Sequence, residues 1–169
     1  MTAPAPWPGL GWSVQYDATA VILTVTGRPV LANYDLWADY HNLGTNSDLN
    51  DPNNNGIPNL MEYALGNNPT VGVYRTATTH GRSNGWFQIS FTRNADATNL
   101  AYHVEAATFL TNGGDWSCIL SNINATGWFG PAVDSYSESA SSNGIAAVIV
   151  TDIAPAATNR FLRLRVTRP

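Results

Sequence analysis

The chain has 169 residues, of which 44% are hydrophobic and only 12% charged, so it can bury a core and is neither disordered nor strongly ionic. All eight basic residues are arginine, which excludes lysine Schiff bases, a P-loop lysine and Lys–Asn crosslinks. A net charge of −4 with dispersed arginines argues against nucleic acid, and the lone Cys118 excludes an internal disulfide, leaving a free buried thiol as the expectation.

The opening Met1-Thr-Ala-Pro-Ala-Pro, with the tail it begins through Pro8-Gly9, lacks the charged and apolar regions of a signal peptide. A removed leader or a fragment is therefore expected. No stretch reaches the ~20 apolar residues of a membrane span. Trp12–Tyr16 and Val21–Thr26 flank the turn-forming Asp17-Ala18-Thr19 and read as a β-hairpin with Val21, Leu23 and Val25 on one face. A lone hairpin is marginal in water, so these strands must join a sheet of this chain or of a neighbour.

Gly27-Arg28-Pro29 breaks the strand. Asn33 is a suitable N-cap for a helix from Tyr34 to about Leu43, with Leu36, Tyr40 and Leu43 on one side, Trp37 beside them and Gly44 as the stop. The polar run Thr45-Asn46-Ser47-Asp48-Leu49-Asn50 leads into Asp51-Pro-Asn-Asn-Asn-Gly-Ile-Pro-Asn-Leu-Met-Glu62. There, oxygen-bearing side chains stand at loop positions 1, 3, 5 and 9, glycine at 6 and a carboxylate at 12.

Calcium takes six to eight oxygens. The frame offers Asp51, Asn53, Asn55 and Glu62 as side-chain ligands, the carbonyl of Ile57, and Asn59 directly or through water, with Asp48 as a further carboxylate upstream. Only two of the frame's own ligands are charged, so the expected affinity is weak, on the order of 10⁻⁴–10⁻³ M. An Asn-rich loop closed by Asx turns and helix capping, with no metal, explains the same residues. A second helix follows the loop, with Pro58 in its first turn, Leu60, Tyr63 and Ala64 on a buried face and Gly66 as its stop.

From Val71 onward the apolar period is two. Phe87, Ile89 and Phe91 alternate with Gln88, Ser90 and Thr92; Tyr102, Val104 and Ala106 with His103 and Glu105; Leu162, Leu164 and Val166 with Arg163 and Arg165. Ala146 to Val150 reads as a central strand, and Asn112-Gly113-Gly114 and Ser141–Gly144 as turns. The pattern predicts a mainly β chain: an antiparallel β-sandwich with a small EF-hand-like two-helix unit and an N-terminal β-hairpin. The divisions are 1–30, 31–70 and 71–169.

Residues 51–66, Asp-Pro-Asn-Asn-Asn-Gly-Ile-Pro-Asn-Leu-Met-Glu-Tyr-Ala-Leu-Gly, resemble the D-P-D-x-D-G-I-P-N-L-x-E-Y-A-L-G stretch of bacterial EF-hand-like repeats related to dockerins and thrombospondin type 3 repeats. Asn53 and Asn55 stand where that family usually has Asp. Trp37, the strands Phe87–Arg93 and Tyr102–Ala106, and the closing Arg160-Phe-Leu-Arg-Leu-Arg-Val-Thr are similar to C-terminal modules of large secreted bacterial β-repeat proteins. Trp12–Thr26 resembles the last strands of an autotransporter-associated β-strand repeat. The resemblance implies an extracellular or cell-surface, bacterial, non-enzymatic module with bound calcium.

Catalytic signatures are missing: His41, His80 and His103 lack metal-ligand spacing, His103 reads as an exposed strand residue, and nothing selects a pair from Glu105, Asp115 and Asp134. The resulting expectation is a calcium-stabilised structural module that builds a surface fibre by strand addition. Its candidate assembly residues are Trp12, Val14, Tyr16, Val21, Leu23 and Val25, and its partners are copies of itself or neighbouring domains of a larger surface protein. The competing readings are a carbohydrate-binding module using Trp86, Trp116 and Trp128 as a stacking platform, and a dockerin-like adhesion module. Asn124-Ala125-Thr126 is a glycosylation-type sequon.

Overall fold

A computed structural model of the chain describes residues 8–27, 29–44, 48–72, 78–153 and 159–169. The tail before Pro8, Arg28 of the strand breaker and Thr45-Asn46-Ser47 of the polar run lie outside the described residues. The chain divides into two compact units, Met1–Leu31 and Ala32–Pro169. The helical segment and the later strands share the second unit.

The first unit is a hairpin of β1 (Leu10–Tyr16) and β2 (Val21–Gly27), closed by Asp17 N–H donating to the Ala20 carbonyl at 2.8 Å. Its register pairs Trp12 with Val25, Val14 with Leu23 and Tyr16 with Val21. Because cross-strand partners share a face, all six stand on one side, while Ser13, Gln15, Ile22, Thr24 and Thr26 stand on the other.

In the second unit, α1 (Tyr34–Tyr40) starts where Asn33 Oδ1 accepts from Leu36 N–H at 2.9 Å, as its N-cap position predicts. The buried face is Tyr34, Trp37 and Ala38, with Leu43 buried beyond the helix; Leu36 is half-buried and Tyr40 exposed, which corrects the face expected from sequence. The aromatic ring of Tyr63 decides this. It meets Trp37 at 5.5 Å and Tyr34 at 5.8 Å between centroids, and Tyr63 belongs to α2 (Asn59–Leu65), which ends on Gly66 at φ 71°.

The strands form a mainly β, antiparallel sandwich. One sheet has β3 (Thr79–Ser83), β4 (Trp86–Asn94), β8 (Tyr136–Glu138) and β9 (Ile145–Asp152) in the order β3-β4-β9-β8. The other has β5 (Ala101–Ala107), β6 (Ser117–Ile123), β7 (Trp128–Phe129) and β10 (Phe161–Thr167) in the order β10-β5-β6-β7. Ile89, Phe91, Val148 and Val150 on the first sheet and Tyr102, Val104 and Leu120 on the second fill the core, and the Phe91 and Tyr102 rings both meet Trp128.

The sandwich grips α2 by its C-terminal carbonyls, which a helix cannot satisfy internally. Asn94 Nδ2 donates to Tyr63 O at 3.2 Å, Tyr102 O–H to Ala64 O at 2.8 Å and Thr92 O–H to Leu65 O at 2.8 Å. These donors come from β4 of one sheet and β5 of the other. The C-terminal end of α2 is thereby held against both sheets.

Candidate functional site

The loop between Asp51 and Glu62 is folded by its own side chains. The Asp51 carboxylate accepts from Asn55 N–H at 3.1 Å and Gly56 N–H at 2.8 Å. Asn53 Oδ1 also accepts from Asn55 N–H at 3.2 Å, and Asn55 Oδ1 accepts from Ile57 N–H at 2.8 Å. The reversal uses Asn54 at φ 54° and Gly56 at φ 83°, left-handed conformations that Asn and Gly adopt most readily. The neck is tied by Asn59 N–H to Asn50 O at 2.8 Å and Leu60 N–H to Asp48 O at 3.0 Å.

These bonds close the loop with its own side chains, as in the Asx-turn reading. They leave one oxygen of Glu62 unanswered. Its side chain is buried, with the residue 1% exposed. Oε1 accepts from Asn55 Nδ2 at 2.6 Å and, at 3.5 Å, from Asn53 Nδ2; Oε2 is buried without a hydrogen-bond partner. Among the described residues the arginines pair with Glu138, Asp152, Glu105, Asp35 and Asp48, and none with Glu62. Asn59 is fully buried, and its carboxamide faces the Tyr34 hydroxyl outside hydrogen-bonding geometry. Burial pushes that hydroxyl's pKa upward.

An unpaired carboxylate oxygen in a low-dielectric site costs several kcal/mol. A hard cation would answer it, and Asp51, Asn53, Asn55 and Asn59 carry oxygen rather than sulfur or imidazole, the donor type calcium takes. As folded, Asn53 and Asn55 turn their amide N–H groups to Glu62 and use Oδ1 on loop N–H groups, so ligation through Oδ1 requires these amides to turn. Among the described residues no group of three His, Cys, Asp or Glu side chains is placed to hold a metal ion. The charge in the loop comes from Asp51 and Glu62 alone, with amides for the rest. Asp48 does not add to it, because its carboxylate is 3.1 Å from Arg168 Nε.

The other candidate residues are placed differently. Glu105 points to the outer face of its sheet yet is only 6% exposed, capped by Arg163 Nε at 2.7 Å and Arg165 Nε at 2.8 Å from the adjacent strand. Burial pulls its carboxyl upward, but the bonds from Arg165 and Arg163 outweigh that and hold it below the usual carboxylate range. Asp115 instead accepts from Thr108 N–H, Thr108 O–H and Phe109 N–H, and Asp134 is exposed in a 3-10 turn.

Cys118 is exposed, not buried as expected, because it faces outward beside the irregular pairing between Val104 and Glu105. Its Sγ is 2.9 Å from Ser121 Oγ and 3.8 Å from His103 Nδ1. His103 is half-buried rather than exposed, and desolvation and Arg165 lower its pKa. His41 packs edge-on against Trp37 and Tyr40 with its pKa lowered by burial, while His80 lies 3.2 Å from Leu162 O.

The three tryptophans form no surface platform. Trp128 is in the core, its indole N–H donating to Glu138 Oε2 at 2.6 Å; Trp116 lies under the Arg163 guanidinium at 4.0 Å; Trp86 opens β4 in the other sheet. Sequence reading missed the Arg93–Glu138–Trp128 network, in which Arg93 Nε donates to Glu138 Oε1 at 2.9 Å. The sequon Asn124 sits in an exposed turn at φ 52°.

On the hairpin, Trp12, Val14, Tyr16, Val21, Leu23 and Val25 are between 40% and 79% exposed. Their face is apolar throughout, and Asp17 in the turn is the hairpin's charged residue within Leu10–Gly27. No family model matches the chain, and neither a curated protein nor a solved structure matches it.

Proposed function

We propose that the chain is a non-enzymatic extracellular structural module, stapled by calcium and assembling into a surface fibre through its N-terminal hairpin. The observation that carries this reading is the uncovered apolar face of β1 and β2. A two-stranded sheet is marginal alone, and six apolar side chains in three cross-strand pairs call for a covering surface.

Calcium has a separate role here. Asp51, Asn53, Asn55, Asn59 and Glu62 would hold it with the Ile57 carbonyl, and the ion would supply the positive charge that the buried Glu62 lacks. The loop then acts as a staple between short helices and the sandwich rather than as a reactive centre. Tyr63, Ala64 and Leu65, directly after Glu62, carry the carbonyls that the two sheets bind.

Sedimentation velocity over a range of concentrations tests assembly: the parent forms species larger than a monomer, and Leu23→Lys remains monomeric. A parent that stays monomeric throughout overturns the reading. Thermal melts with calcium or EDTA test the staple separately. Calcium is expected to raise the Tm of the parent and to leave that of Glu62→Gln unmoved; equal melts of the parent in both buffers would favour the metal-free loop.

A further inference from the structure

We infer that the surface receiving the hairpin is the open edge of β10 in a second copy of the chain, with β2 as the strand laid against it. The inference rests on the self-assembly reading above. Face-to-face stacking of two hairpins is the simplest alternative; it would cover the six side chains but leave the main-chain groups along the free edge of β2 unpaired. Strand addition supplies main-chain hydrogen bonds as well as apolar contact.

Among the described residues β10 is the long edge of its sheet, seven residues against the two of β7, and β2 is also seven residues long. Its core-side residues Leu162, Leu164 and Val166 are only half-buried, whereas their partners on β5, Ala106, Val104 and Tyr102, are almost completely covered. The sandwich is thus less completely covered on this side, where His80 of β3 reaches the Leu162 carbonyl at 3.2 Å and would give way to an added strand at that end. A hollow of about 260 Å³ opens there, lined by His80, Phe87, Gln88, Arg160, Phe161 and Leu162.

Edge strands are normally guarded by charge. Arg163 and Arg165 would do so on β10, but both are turned onto Glu105, and Arg163 also lies over Trp116. The edge is left without an unpaired charge along its length. β2 suits it better than β1: Val21-Ile-Leu-Thr-Val-Thr26 is dense in β-branched residues and uncharged, whereas β1 contains Gly11 and follows Pro8, which has no N–H to donate. With Val21, Leu23 and Val25 continuing the core side, Ile22, Thr24 and Thr26 fall on the side of Arg163 and Arg165.

Disulfide trapping between two differently tagged full-length chains, both carrying Cys118→Ser, tests the edge. One chain carries Ile22→Cys or Thr26→Cys and the other Phe161→Cys or Thr167→Cys, and the four combinations are oxidised and run without reductant. We expect a mixed-tag crosslink in one of the four combinations, set by strand direction and register because Ile22 and Thr26 stand four residues apart and Phe161 and Thr167 six, and its loss when Leu23→Lys is added to the first chain. Assembly that persists without any mixed-tag crosslink overturns β10 as the receiving edge while leaving self-assembly standing. Monomers at every concentration overturn both.

Discussion

The Asn55 carboxamide donates to Glu62 Oε1 at 2.6 Å, so an amide N–H faces the carboxylate where a fully acidic loop would place a second negative charge. The pair explains how a loop with few carboxylates keeps a buried glutamate. It also makes Asn55 the residue at which metal dependence can be adjusted.

Asn55→Asp is expected to invert the response to metal. In EDTA the new carboxylate confronts Glu62 at hydrogen-bond distance and lowers Tm; with millimolar calcium the extra charged ligand raises it above the parent. Melts of both proteins in both buffers check the crossover.

Gly66→Ala is expected to cost about 1–2 kcal/mol, because its backbone is left-handed and a Cβ there obliges the half-buried Ile145 side chain, whose Cδ1 it would meet, to turn aside. Urea unfolding measures the loss.

The acid limb of stability is expected to depend on Glu105. Its folded carboxyl is held below the usual range, so the ionised form favours the fold. That stabilisation is present above the ordinary glutamate pKa of about 4.3 and disappears as pH falls through the lower folded value. Glu105→Gln should lower Tm at neutral pH and flatten its decline in acid. The effect is modest, because Arg163 and Arg165 are nearly half exposed. Melts between about pH 7 and 3 check both signs.

Tyr102→Phe is expected to destabilise by about 1–2 kcal/mol, since it leaves the buried Ala64 carbonyl without the donor it now has at 2.8 Å. Calorimetry of the single variant reads this directly.

The alternating strands were legible because their inner residues meet a core: Ile89 and Phe91, Tyr102 and Val104, Leu162 and Leu164 all point inward as their spacing implies. The hairpin and the N-cap were legible as local matters. β3 was not, because Thr79-His-Gly-Arg-Ser83 is an edge strand with little buried on either side. β6 was hidden because Ile119 is skipped in the pairing with β5, so Ile119 and Leu120 are both buried and the period of two is lost. Burial of Glu105 depends on arginines 58 and 60 residues later, a relation that no local pattern carries. At the loop, residue types and spacing were visible, whereas the orphaned oxygen of Glu62 emerges only once α2 has been packed.

The three bonds that hold the carbonyls of Tyr63, Ala64 and Leu65 make the end of α2 a shared fastening for both sheets. A seven-residue helix in isolation would fray continually, and its amides would exchange within moments. Here its opening must break contacts to β4 and β5 together, so its slowest amides should exchange in step with those of the sandwich, as one cooperative block. Tightening the loop ahead of Glu62 would then be reported by deuterium uptake in strands that never touch it.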